Sequence, residues 1–191
     1  MEFQYINIKL YLDDSRKVNL GDVVPIFHSW IQDQSCEELL IDVADYRHVH
    51  CGPGVVLIGH QADYSLDNTD DRLGIRYNRK EVLEGSNFDR FKQAMRSALI
   101  ACQLLESDAR LNGSFRFGQK EFQLFINDRL MAPNVDATYQ EAKPELDLFF
   151  HELIGGSDYS VRLAPDPRRL FGVSVRTSRA FSVEKLLKSV S

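Results

Sequence analysis

The sequence has few cysteines and no long apolar run, and both shortages narrow the classes of protein that it can encode. The three cysteines, Cys36, Cys51 and Cys102, form no CxxC pair and cannot all be matched in disulfides, which indicates a reducing compartment. No segment approaches the roughly 20 apolar residues of a membrane span, and residues 1–12 lack the apolar core of a signal peptide. We therefore expect a soluble, cytoplasmic protein without a membrane partner.

Basic residues are outnumbered by acidic residues, and glycine-rich loops are scarce. The 191 residues include 23 Lys and Arg against 28 Asp and Glu, which gives a net charge of −5. A protein that binds nucleic acid by neutralising phosphates shows the opposite balance, so we expect no nucleic-acid partner. No Gly-rich phosphate loop joins a strand to a helix, which argues against a Rossmann-type or P-loop nucleotide site.

The composition and periodicity that are present indicate a globular α+β domain. Hydrophobic residues make up 43% of the chain, which is typical of a protein with a packed core. Apolar residues alternate over 3–12 and 117–126, as they do in half-buried strands. They recur every three or four positions over 23–34, 87–106 and 137–154, as they do in helices.

Shorter segments complete this pattern. We predict further strands at 55–59, 73–77, 159–163 and 170–175, and a last helix that begins after Ser182. We expect Asn87 to be the N-cap of the helix that follows it, and this helix should bury one face, made by Phe91, Met95, Leu99 and Cys102. The sequence therefore predicts a single α+β domain over residues 1–191, with an antiparallel sheet and helices packed on it.

Short words recur in the same order in the two parts of the chain. Residues 63–66 (DYSL) are similar to residues 158–161 (DYSV), which lie 158 − 63 = 95 positions later in the chain. The dipeptide Phe27-His28 likewise recurs as Phe150-His151. These matches predict two pseudo-symmetric halves, 1–110 and 111–191, that arose by internal duplication, with chance matching as the alternative. Residues 36–60 have no counterpart in the second half.

Several longer motifs group this chain with known sequences. They are residues 27–32 (FHSWIQ), 40–49 (LIDVADYRHV), 52–55 (GPGV), 59–64 (GHQADY) and 125–134 (FINDRLMAPN). Together these motifs resemble a family of uncharacterised bacterial proteins of similar length, over nearly the whole chain. The resemblance implies a bacterial protein, and it implies no activity, cofactor or catalytic residue.

Histidines concentrate in the segment that has no counterpart. His48 and His50 share a face if residues 46–50 are extended, because side chains alternate along a strand. A turn at 52–54 (GPG) could then bring His60 to the same place. Three converging imidazoles suit a divalent metal such as zinc, and this set is our candidate metal site. The alternative is that these histidines are structural or lie at the surface.

Arginines and one polar loop form the candidate ligand site. Arg76 and Arg79 follow one predicted strand, and a second group of arginines at 168, 169, 176 and 179 clusters near its counterpart. If the halves are pseudo-symmetric, both groups can border one cleft that binds an anion. Asn127, Asp128 and Arg129 combine an amide, an acid and a guanidinium in one loop that could contact ligand. Solvated charges and simple turn chemistry are the alternatives for these residues.

No recognisable catalytic set accompanies these features. The leading hypothesis is a non-enzymatic module that binds a small ligand or a protein partner and that forms a homodimer or other homo-oligomer. The runner-up is a metal-dependent enzyme centred on His48, His50 and His60. A structural component of a larger assembly is the third hypothesis.

Overall fold

The computed structural model describes residues 1–118 and 120–191, which form one antiparallel sheet with helices packed on it. This confirms the predicted α+β class. The strands are β1 (Ile6–Tyr11), β2 (Leu40–Tyr46), β3 (Gly54–Gly59), β4 (Ala62–Asp67), β5 (Gly74–Arg79), β6 (Glu121–Ile126), β7 (Tyr159–Leu163) and β8 (Phe171–Thr177). The helices are α1 (Val23–Asp33), α2 (Asn87–Ser107), α3 (Asp136–Ile154) and α4 (Val183–Ser189).

The sheet has two faces of different character. Ile8, Leu124 and their same-face neighbours are buried beneath the helices. We call this the covered face. On the opposite side, which we call the open face, the strands present Asn7, Lys9 and Gln123. The core therefore lies between the sheet and the helices, where each fully buried Leu or Ile contributes about 1.5–3 kcal/mol.

Helix α2 runs across the centre of the covered face, against β1 and β5. Its predicted apolar side is confirmed, because Phe91, Met95, Leu99 and Cys102 are fully buried. The prediction placed the N-cap one residue late. Ser86 caps the helix in a capping box with Asp89, whereas the Asn87 side chain accepts a 2.7 Å hydrogen bond from the backbone of Phe3.

The order of the strands is β2-β3-β4-β5-β1-β6-β8-β7. The set β4-β5-β1 is thus mirrored by β7-β8-β6, and the hairpin β2-β3 lies outside this arrangement. That hairpin belongs to the segment 36–60, which was predicted to lack a counterpart. Asp63 and Tyr64 lie in β4, while Tyr159 begins β7 and Asp158 precedes it. The two words therefore occupy mirrored strands, although common ancestry of the halves stays a prediction.

Helix length and hydropathy bear on membrane insertion. Within the described ranges, none of the helices has the length and apolar character needed to span a bilayer.

Candidate functional site

A row of polar side chains crosses the open face of the sheet. Antiparallel pairing places Lys9 of β1 opposite Arg76 of β5 on one side and Gln123 of β6 on the other. From Gln123 the row continues through Ser174 of β8 to Arg162 of the edge strand β7. Residues in register on neighbouring antiparallel strands point to the same face. The sheet therefore aligns three cations and two uncharged polar groups along one line.

A buried ion pair lies in this row. The Nζ atom of Lys9 is 2.5 Å from Oδ1 of Asp67, and both side chains are only 4% exposed. Arg76 shares the same carboxylate at a longer distance, 3.9 Å from Nη1 to Oδ2. Its Nε and Nη2 atoms donate instead to the neutral Oδ1 of Asn7, at 3.1 and 3.0 Å. One carboxylate thus serves two cations, and the floor of the site keeps a net positive charge.

Burial affects both of these cations. It lowers the pKa of Lys9, because the ammonium loses water contacts, while the Asp67 carboxylate opposes this shift. It also lowers the pKa of Arg76, again against the influence of Asp67. A ligand that adds a negative charge beside them would offset part of this desolvation.

An ion pair between distant segments lies above the floor. The Arg169 guanidinium donates to both carboxylate oxygens of Asp70, with Nη1–Oδ2 at 2.5 Å and Nη2–Oδ1 at 2.6 Å. Asp70 belongs to a one-turn helix, Thr69–Asp71, that follows β4, and Arg169 belongs to the connection between β7 and β8. Because the two residues are 99 positions apart, this bidentate pair ties the two halves of the chain together across the open face.

The floor and this ion pair enclose a cavity of about 870 Å³, which lies within the usual range for small-molecule sites. We call it the open-face cleft. Arg129 and Arg162 both line it, and neither forms an ion pair or side-chain hydrogen bond within the described part of the chain. Among the residues that the structure describes, these two guanidinium groups of the cleft therefore have no side-chain partner.

Two further contacts shape the walls. The side chain of Asn134 donates to the backbone oxygens of Ala164 and Asp166, at 3.0 and 2.8 Å, and so joins the two loops beside the cleft. Phe125 lies against Gly172, where an added Cβ would approach a ring carbon to 2.5 Å. Glycine at this position therefore lets the aromatic ring pack close to the sheet.

The acidic side chains that line the cleft already accept hydrogen bonds from protein donors. The Glu121 carboxylate accepts from Arg72 at 2.9 Å and from the Ser174 hydroxyl at 2.6 Å. Although burial opposes the shift, these hydrogen bonds lower the pKa of Glu121. Asp166 accepts from Arg168 at 3.0 Å. Among the described residues, these pairs leave Arg129 and Arg162 as the cations of the lining without an ion-pair or side-chain hydrogen-bond partner, whereas Arg76 donates to the uncharged Asn7.

The predicted ligand residues fall into two groups. Arg76 and Arg129 both line the open-face cleft. Arg79 does not, because it has the orientation of the covered-face residues of β5, and its Nε donates to the backbone of Glu81 at 2.9 Å. Asn127 and Asp128 also lie outside the lining. The Asp128 carboxylate accepts from the two backbone amides of the following turn, as expected for turn chemistry.

The three candidate metal ligands are not brought together. His48 and His50 lie in the turn after β2, so residues 46–50 are not an extended strand. His60 lies at the other end of the hairpin, where its backbone amide donates to Leu39 at the start of β2. Six residues of β3 separate the two ends, roughly 20 Å of extended chain. In the described residues, no group of three or more His, Cys, Asp or Glu side chains could hold a metal ion.

A second buried polar cluster, which the sequence did not reveal, lies on the covered face. The Glu38 carboxylate is 3% exposed and accepts hydrogen bonds from the hydroxyls of Tyr64, Tyr77 and Ser97 and from the amide of Gln93. Burial raises the pKa of both tyrosines, and the nearby carboxylate adds to the shift. Four donors thus solvate one carboxylate inside the core.

Comparison with known proteins found no matching family model, no matching curated protein and no matching solved structure.

Proposed function

We propose that this protein is a non-enzymatic binding module that takes a small anionic molecule in the open-face cleft. The observation that carries the proposal is the pair of unpartnered guanidinium groups, Arg129 and Arg162, in the lining of a ligand-sized cavity. Guanidinium groups bind carboxylate and phosphate oxygens through charge-assisted hydrogen bonds.

The overall charge of the chain strengthens this argument. At a net charge of −5, a random patch of surface should be slightly acidic. The cleft instead gathers the cations Lys9, Arg76, Arg129, Arg162 and Arg169 against the four acids of its lining. The lining therefore carries one net positive charge in a chain of net charge −5, and a positive potential in a concave site raises the local concentration of anionic ligands.

Binding rather than acid–base chemistry is favoured by the state of the carboxylates. Asp67 accepts from Lys9, Asp70 from Arg169 and Glu121 from Arg72 and Ser174. A general base needs a lone pair within reach of a substrate proton. Each of these carboxylates already accepts at least one hydrogen bond from a charged protein donor, which suits a preorganised binding site.

Isothermal titration calorimetry tests the proposal. Inorganic phosphate, pyrophosphate and citrate are titrated at low ionic strength, because salt screens exposed charges. The double variant Arg129→Gln and Arg162→Gln should lose roughly tenfold or more in affinity for whichever anion binds, as expected when charged hydrogen bonds are removed. The matched control is Arg16→Gln, whose side chain is 89% exposed and does not line the cleft.

Two outcomes would contradict the proposal. One is the absence of heat with all three anions. The other is an equal loss of affinity in the double variant and in Arg16→Gln, since binding would then follow the total charge of the protein rather than the cleft.

A further inference from the structure

The cations of the cleft are held at two separate places. The guanidinium of Arg76 donates to Asn7 of β1 and lies 5.3 Å from the ring centre of Phe125, so it sits over the middle of the sheet. Arg162 belongs to the edge strand β7, which β6 and β8 separate from β1. At about 4.8 Å per strand, its backbone lies roughly 14 Å from β1. A single small anion against Arg76 therefore lies well away from the strand that carries Arg162.

The members of the polar row between these two places are uncharged, and the nearby Glu121 carboxylate is neutralised by Arg72. Gln123 and Ser174 are the members of the polar row that separate Lys9 from Arg162. Phe125 adds an apolar surface in the neighbouring register, opposite Gly172. An uncharged middle section of a ligand can rest on such a floor without leaving a buried charge unpaired.

The inner and outer cations also differ in their surroundings. Arg76 is 24% exposed and is fixed by two hydrogen bonds to Asn7, so its orientation is set before a ligand binds. Arg162 is exposed and has no partner within the described residues, so it can swing toward a ligand that reaches the outer end. The inner end thus offers a rigid anchor and the outer end an adaptable one.

We propose that the ligand is an elongated molecule with an anionic group at each end and an uncharged middle, held by Arg76 at one end and Arg162 at the other. This inference rests on the proposed function, which requires only that an anion binds in the cleft. It adds that the spacing of two anionic groups determines the affinity. Two linked groups that are engaged together bind more tightly than either group alone.

Three simple phosphonates serve as probes. Hexane-1,6-diphosphonate carries two separated anionic groups, hexylphosphonate carries one on the same chain, and methylenediphosphonate carries two that are adjacent. We expect the parent protein to bind hexane-1,6-diphosphonate at least about tenfold more tightly than either of the other two in calorimetric titrations.

Variants then assign the two ends. Arg162→Gln should abolish the advantage of hexane-1,6-diphosphonate over hexylphosphonate, because the second anionic group then has no guanidinium partner at the outer end. Arg76→Gln should weaken the binding of both probes, and Arg16→Gln should retain the full advantage. Circular dichroism and urea denaturation of each variant establish that the fold is intact.

Each contrary result has a distinct meaning. Equal affinity for hexane-1,6-diphosphonate and hexylphosphonate would overturn this inference, because the second anionic group would then have no partner. Equal affinity for the two diphosphonates would also overturn it, since charge rather than spacing would determine binding. In both cases the proposed function would stand. Failure of every probe and of the simple anions to bind would overturn both proposals.

Discussion

On the covered face, the Glu38 carboxylate is enclosed by Tyr64, Tyr77, Gln93 and Ser97, and all four of them donate to it. On the open face, the Asp67 carboxylate is shared unequally by Lys9 and Arg76, and the cavity adjoins it. The first cluster satisfies its polar groups within the core, whereas the second leaves positive charge that a ligand can neutralise.

The two faces also differ in where buried polar atoms lack hydrogen-bond partners. Within the described chain, the buried side-chain oxygens that lack a hydrogen-bond donor are Oδ1 of Asn78 and Oδ1 of Asn134. Asn78 lies on the open face opposite Asn7, and Asn134 joins the loops beside the cleft. Buried polar groups are normally paired, and exceptions call for an explanation. Within the described residues, the unpaired buried acceptors thus lie on or beside the open face, whereas the polar side chains of the Glu38 cluster on the covered face are paired.

The largest loss of stability is expected when the carboxylate that Lys9 and Arg76 share is neutralised. Asp67→Asn leaves Lys9 buried without its counter-ion, which should cost about 3–5 kcal/mol in the free energy of unfolding. The pKa of Lys9 is lowered by burial, so its neutral form favours the folded state, and the variant should regain stability as pH rises from 7 toward 10. Urea denaturation at several pH values measures this. Asp71→Asn, at an exposed carboxylate, is the control, and an equal loss in both variants would refute the argument.

The core under the covered face should respond almost as strongly. Leu99 is fully buried in α2, so Leu99→Ala should cost about 2–5 kcal/mol through lost apolar contact and the cavity that remains. The anion affinity of the cleft should stay unchanged, because no residue of α2 lines it. Urea denaturation and calorimetry measure the two quantities. A loss of stability below about 0.5 kcal/mol, typical of surface positions, would show that this face is not packed as described.

A smaller loss is expected when an acceptor in the Glu38 cluster is replaced. Glu38→Gln replaces one acceptor oxygen of the carboxylate by an NH2 group, which is a donor. At least one of the surrounding hydroxyls then loses its acceptor, which should lower the free energy of unfolding by about 1–3 kcal/mol. The neighbouring Glu37→Gln is the matched control. Glu37 pairs with Arg96 at the surface and is 41% exposed, so its replacement should cost less than about 0.5 kcal/mol. Equal effects in the two variants, measured by urea denaturation, would show that the buried cluster does not stabilise the fold.

The covered face also predicts a pH dependence of opposite sign to that of Lys9. Burial raises the pKa of Tyr64 above its ordinary value of 10.0, so its neutral form favours the folded state. This contribution is fully present below pH 10 and is lost above it, by up to about 1.4 kcal/mol per pH unit. Tyr64→Phe should make stability fall less steeply between pH 10 and 11, whereas Tyr46→Phe, at an exposed site, should not change the slope. Identical slopes in the two variants and the parent protein would contradict the assignment.

The predictability of the two faces differs for a physical reason. The covered face follows from periodicity, because Phe91, Met95 and Leu99 share a helical side whatever the tertiary arrangement. The alternating pattern of β1 predicts a half-buried strand, and in such a strand the polar positions, which include Lys9, face solvent. The burial of Lys9 depends on Asp67 and on the contact between Asp70 and Arg169, which lie far apart in sequence. Strand order and register decide such contacts, and neither can be derived from local pattern.

The candidate sites show the same limit. Arg76, which lies within β5, and Arg129, which lies in the loop after β6, could be predicted as ligand residues from their charge and their place in or after predicted strands. Arg162 could not, since its register with Ser174 is a long-range property. The histidine hypothesis had a related weakness. The turn after Tyr46 begins earlier than expected, and the hairpin then places His60 at the end opposite His48. The hairpin was therefore predicted correctly, but it holds the histidine side chains apart.

The smallest effect on stability is expected at the ion pair above the cleft. Asp70 and Arg169 are 46% and 54% exposed, and exposed ion pairs contribute about 0–1 kcal/mol, so Asp70→Asn should barely change the free energy of unfolding. The same change frees the Arg169 guanidinium, which lines the cleft and would become available to an anion. We therefore expect the variant to bind a small anion such as pyrophosphate more tightly than the parent protein, by roughly two- to tenfold. Calorimetry at low salt measures this gain, and Asp45→Asn, which frees the Arg47 guanidinium away from the cleft, is the control. A loss of affinity in Asp70→Asn would instead show that the ion pair organises the cleft rather than competing with its ligand.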